Sequence, residues 1–174
     1  MSKISDPYQR KSIIFKIMKT ASISELKEEL QNKSAKEIAD LCLRLARFKK
    51  KNKELLSYLL FEAHDVEGYT EATKAAMDEA FKEVNITNLY FAKKNLRRIL
   101  RANNKHIKYT GSKLTEATVL IHFCSLLKTS GIKLQKSAAL QKLYAQQLKK
   151  INAAIATLHE DIQYDLMKEV KQLE

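Results

Sequence analysis

"SAKEIADLCLRLARFKKKNKELLSYLLFEAH", Ser34–His64, is the stretch on which the fold reading turns. Ser34 with Glu37 three residues on has the form of a capping box, which opens a helix by satisfying two backbone N–H groups. The next apolar residues, Ile38, Leu41, Cys42, Leu45 and Phe48, recur at helical spacing and define one face. After the basic run "KKKNK", residues Leu55, Leu56, Tyr58, Leu59, Leu60 and Phe61 place apolar groups around nearly the whole circumference of a second helix. A helix of that kind is expected to be buried on several sides. The pair is therefore expected to form an antiparallel hairpin at the centre of the domain, with Leu55, Leu59 and Leu60 in the core.

Outward from this hairpin the chain keeps the same character. It has 174 residues, 45% of them hydrophobic and 30% charged, with three Gly and one Pro. So few turn-formers exclude the many tight reversals of a sandwich or barrel. The expected class is all-α, a single domain over residues 1–174 built as an antiparallel bundle of about eight helices. A short irregular HEAT-like solenoid is the alternative, disfavoured because the helix starts are unevenly spaced and share no residue pattern.

Asp6 followed by Pro7 opens a first helix to about Lys19, and Ser22 and Ser24 offer caps for a second. Further helices are expected over about Tyr69–Val84, Thr87–Lys108 and Leu114–Lys128, with Gly111 and Gly131 just past two of their ends. From Leu140 to Leu173 the apolar positions step by 4, 4, 3, 4, 3, 4, 4, 4 and 3. The mean of about 3.7 is closer to a straight helix than to the 3.5 of a coiled-coil seam. One long C-terminal helix is expected, with a break near His159 and a homodimer seam as variants.

The segments "KEIADLCLRLARFKKKNKELLSYLLFEA" and "LHEDIQYDLMKEV" resemble members of a small, functionally unassigned bacterial family of all-helical proteins. The resemblance implies a helical cytoplasmic protein and supplies no activity and no site residues.

Chemistry needs convergent groups, and few are legible. "HEDIQ", from His159 and Glu160, begins like the zinc-protease pattern H-E-x-x-H, but Gln163 stands where the second histidine is required. "EAHDVE" gathers Glu62, His64, Asp65 and Glu67 at a helix end, where a solvated terminus is the commoner meaning. His122, between Ile121 and Phe123, reads as a structural histidine. Cys42 and Cys124 belong to no C-x-x-C pair, and Cys42 reads as a small buried hydrophobe, which fits a reducing cytoplasm. The N-terminal "KSIIFKIMK" is interrupted by Lys16 and precedes no small-residue cleavage site, so it is neither a signal peptide nor a membrane span; membrane attachment is a minor expectation. No catalytic residue, cofactor or metal is expected, and the chain is read as a non-enzyme.

Charge is the informative quantity. The net +12 is segregated: residues 1–53 sum to +8, residues 54–92 to −6, residues 93–113 to +8, residues 114–158 to +5 and residues 159–174 to −3. On a helical wheel Leu89, Ala92, Leu96, Ile99, Leu100 and Ile107 share one face. Lys94, Arg97, Arg98, Arg101, Lys105 and Lys108 fall within about 100° of arc on the other. Like charges at that spacing repel, and an outside anion would offset the cost. A second basic patch, Arg44, Arg47, Lys49, Lys50, Lys51 and Lys53, lies between the two hairpin helices. The leading expectation is an interaction or scaffold protein that docks an acidic protein partner. The alternative is a nucleic-acid binder that contacts phosphates without reading bases.

Overall fold

The computed structural model describes residues 20–173. Among them are eight α-helices and no strand: α1 Ile23–Gln31, α2 Ala35–Phe48, α3 Lys50–Phe61, α4 Val66–Lys82, α5 Leu89–Thr110, α6 Lys113–Thr129, α7 Ala138–Ile155 and α8 Glu160–Lys171. A 3-10 turn, Leu134–Lys136, precedes α7. None of these helices is long and apolar enough to cross a membrane. The helix expected to open at Asp6–Pro7, and the membrane-attachment reading of "KSIIFKIMK", lie outside the described residues.

The chain divides into two compact units, Met1–Leu45 and Ala46–Glu174. In the first, Ser22 and Glu25 form a reciprocal capping box at α1 (2.6 and 3.3 Å), and Ser34 and Glu37 do the same at the start of α2 (2.9 and 3.3 Å). These caps are the local signals working as expected. Neither helix has a buried residue: Ile38, Leu41 and Leu45 stand exposed, and Cys42 is partly exposed, not the buried hydrophobe expected.

The second unit is a helical bundle with α6 at its centre, in contact with α4, α5, α7 and α8. Residues 117–127 of α6 contain no Asp, Glu, Lys or Arg, so the helix can be surrounded without stranding a charge. Val119, Leu120, Phe123, Cys124 and Leu127 are fully buried there, joined by Met77 of α4, Leu96 of α5, Leu140 and Ile151 of α7 and Val170 of α8. Burial pushes the Cys124 thiol up to about 12. Across the α4–α6 contact the Thr70 and Thr115 hydroxyls bond at 3.1 Å, and Thr70 also donates to the Val66 carbonyl.

Two expectations are corrected here. The Leu-rich helix α3 is not central: Tyr58 is 4% exposed, but Leu55, Leu59 and Leu60 are 37%, 55% and 64% exposed. It packs on α5 along the Tyr58 side alone, and the leucines to either side on the wheel turn outward. The basic run "KKKNK" is no loop either. Lys49 alone, in extended conformation, separates α2 from α3, and Lys50–Lys53 form the first turn of α3.

The long C-terminal helix is likewise two helices, broken at 156–159. His159 caps α8, its Nδ1 accepting from the Asp161 N–H (3.4 Å), and the acidic pair Glu160 and Asp161 sits in the first turn, where the helix dipole favours it. The fold-back lets both halves use their apolar face on one core. Leu140, Ile151, Ile155, Leu166, Val170 and Leu173 are all buried within the unit, and Tyr144, Leu148, Leu158 and Ile162 pack partly buried against the same core. Tyr144 Oη and Lys128 Nζ clip the chain end by donating to the carbonyls of Leu173 and Gln172, each at 2.8 Å.

This placement separates two helices that look alike in composition. Phe123→Ala in α6 should cost about 3–5 kcal/mol, because it empties a fully enclosed site. Leu59→Asp in α3 should leave the fold intact and shift the melting temperature by only a few degrees. Denaturant titration followed by circular dichroism checks both; a Leu59→Asp chain that does not fold would return α3 to the core.

Candidate functional site

Helix α5 is long, 22 residues or about 33 Å, and two ordinary devices hold its ends. The Asn88 side chain accepts from the N–H groups of Tyr90 and Phe91, and Gly111, at φ 62°, closes the other end in the left-handed conformation that glycine adopts without strain. Ala92, Leu96, Ile99, Leu100 and Ile107 are buried against the core, as the wheel predicts. The opposite side carries the cations.

Lys94, Arg97, Arg98, Arg101 and Lys108 are exposed, and among the described residues none of these five makes an ion pair. Arg101 Nε donates to the Arg97 carbonyl at 3.3 Å, which holds its guanidinium along the helix. Lys105 is different. Its Nζ lies 3.0 Å from Glu54 Oε2 of α3, so one member of the stripe is compensated within the fold.

The same carboxylate links the two basic segments. Glu54 Oε2 also accepts from Tyr109 Oη at 2.8 Å, and its other oxygen lies 3.9 Å from Lys50 Nζ. The Tyr109 and Lys105 hydrogen bonds hold Glu54 below the usual carboxylate range. Burial, then the bond to Glu54, pushes the Tyr109 hydroxyl up to about 12. Lys50, Lys53 and Lys105 line one groove of about 650 Å³ between α3 and α5. Arg47 and Lys51 are exposed but do not line it.

An aromatic cluster forms the wall of this groove. Tyr58 lies 4.6 Å from Tyr69 and 6.3 Å from Tyr109 between ring centroids, and His106 is 5.7 Å from Tyr69. Tyr69 Oη and His106 Nδ1 are 2.6 Å apart. Burial, with Lys105 nearby, lowers the His106 pKa; burial raises that of Tyr69. Sequence reasoning missed this cluster because its members come from three helices, and no local spacing links Tyr58 or Tyr69 to His106 and Tyr109.

At the other end of α5 a second groove, of about 660 Å³, runs between α5 and α7. Lys93, Lys94, Arg97 and Arg101 line it from α5, and Leu143, Gln146 and Gln147 from α7, with no carboxylate among its lining residues. Tyr90 stands at its edge, 65% exposed, with Phe91 edge-on at 5.5 Å and Lys93 Nζ at 5.9 Å from the ring centre. From Lys94 to Lys105 the cations span about 16 Å of helix axis, with tyrosines at both ends.

Of the other singled-out residues, Asp65, His122 and His159 have side-chain partners within the fold. Asp65 caps α4 by accepting from the Gly68 N–H (2.8 Å), and Glu62 ends α3. His122 Nε2 meets Asp78 Oδ1 at 2.6 Å, and His159 serves as the α8 cap. Among the described residues no three His, Cys, Asp or Glu side chains are grouped to hold a metal ion.

The His106 environment carries a pH signature. A base whose pKa is lower folded than unfolded contributes stability that is complete above its ordinary value, 6.5 here, and is lost as pH falls below it. The melting temperature should therefore drop between about pH 7 and about pH 5, and His106→Gln, with no proton to gain in that range, should flatten the drop. Differential scanning fluorimetry across that range tests it; identical wild-type and variant profiles would show that His106 titrates without feeling the fold.

No protein-family model, curated protein or solved structure matches this chain.

Proposed function

We propose that this chain is a non-enzymatic binding protein that holds nucleic acid by its phosphates along the outer face of α5. The observation that carries the reading is the set of five cations, Lys94, Arg97, Arg98, Arg101 and Lys108, that lie on one face of one helix without an ion pair among the described residues. Cations so spaced raise the energy of the free protein, and a polyanion relieves several of them at once while releasing its counterions. Three of the five are arginines, whose planar fork suits phosphate oxygens. Lys50 and Lys53 extend the charge beyond Lys105.

An acidic protein partner is the second reading, and a specific observation favours it. Leu59, Leu60 and Phe61 on α3 are exposed, and protein partners bury such side chains where a phosphate backbone does not.

Salt dependence separates the two. Engagement of about four to six phosphates on duplex DNA predicts a slope of log affinity against log salt of about −3.6 to −5.4, at about −0.9 per neutralised phosphate. Arg98→Glu, Arg101→Glu and Lys108→Glu together should abolish binding and leave the melting temperature within a few degrees, since none of the three packs in the core. Wild-type protein that binds neither DNA nor RNA at low salt would remove the phosphate reading and leave the stripe to an acidic protein.

A further inference from the structure

Among the described side chains, one buried polar atom has no hydrogen-bond partner: Oε1 of Gln147, a residue 4% exposed. Its Nε2 donates back to the Leu143 carbonyl at 3.1 Å, so the carboxamide is oriented and only its acceptor is left unserved. Leaving a buried acceptor unpaired destabilises the fold, and a leucine of similar size there would strand nothing. Gln147 lines the α5–α7 groove, in the company of Tyr90, Arg97 and Arg101. The groove thus combines positive charge without carboxylates, an exposed aromatic ring and, set beneath its surface, a neutral acceptor that a turn of the Gln147 side chain would present to an N–H or O–H.

We infer that the α5–α7 groove is a base-binding subsite for single-stranded nucleic acid, in which an unpaired base lies on Tyr90 and, as the Gln147 side chain turns outward, donates an N–H to its Oε1 while the flanking phosphates rest on Lys94, Arg97 and Arg101. The inference builds on the phosphate reading and adds a preference that charge alone does not supply. Every common base has a flat face and at least one N–H, so the subsite selects for unpaired bases more than for sequence. An acidic amphipathic helix fits less well. It would need a row of apolar anchors, and the groove offers Leu100 and Leu143, both already buried. A duplex keeps its bases stacked, out of reach of a partner so deeply set.

Fluorescence anisotropy would compare a labelled single strand of about 12 nucleotides, the same sequence as duplex, and a polyglutamate peptide. Wild-type protein should prefer the single strand. Gln147→Leu should melt at the same or a higher temperature, yet bind the single strand about tenfold more weakly with duplex affinity unchanged. Tyr90→Ala, at an exposed position, should lose affinity for the single strand comparably and keeps the test open should Gln147→Leu fail to fold. Equal affinity for both strand forms, or wild-type binding by Gln147→Leu and Tyr90→Ala, overturns the subsite while leaving the phosphate reading in place. Tighter binding of polyglutamate than of the single strand overturns it in favour of an acidic protein. Absence of binding to either strand form removes the phosphate reading as well.

Discussion

The second unit depends on α6 being enclosed. A helix touched by four others keeps only a narrow strip toward solvent, at Thr118, His122 and Ser125, and only a segment without Asp, Glu, Lys or Arg between its ends can take that place at tolerable cost. Residues 117–127 are such a segment, with His122 satisfied by Asp78. Once α6 is central, each surrounding helix presents one face inward. For α5 that face is Ala92, Leu96, Ile99, Leu100 and Ile107, and the geometry of the helix then turns the cations outward. The exposed basic stripe is thus a consequence of core packing as much as of charge.

Glu54 is the counterweight to that stripe. It takes two donors from α5, Lys105 and Tyr109, and so ties the thinly packed α3 to the bundle while neutralising one cation. Beside it, Tyr58 fills the gap against Tyr69 and Tyr109. The arrangement stabilises α3 at one face and leaves Leu59, Leu60 and Phe61 uncovered on the other. The cations that Glu54 does not reach give the proposed binding face its charge, and on the α7 side that face becomes a groove rather than a flat field.

The candidate site was legible in part. The stripe from Lys94 to Lys108 is a property of one helix, and the wheel places it correctly. That Lys50 and Lys53 join Lys105 is not legible there, since Glu54 and Lys105 are 51 residues apart in sequence. The aromatic wall and the α5–α7 groove could not be read at all. Each is assembled from residues of different helices, and a single chain without an alignment carries no signal linking them.

What the amino-acid order determined by itself is whatever is settled within a few residues: the all-α class, the caps at Ser22, Ser34, Asp65 and Gly111, the apolar face of α5 and the cations opposite it. What only the tertiary structure decided is which helix is enclosed. Periodicity reports that a face is apolar, not what covers it, and α3 looks more buried in sequence than it is. The break at His159 belongs to the same class, because Leu140–Leu173 keeps a helical period whether the chain runs straight or folds back, and only competition for the surface of α6 tells the two apart.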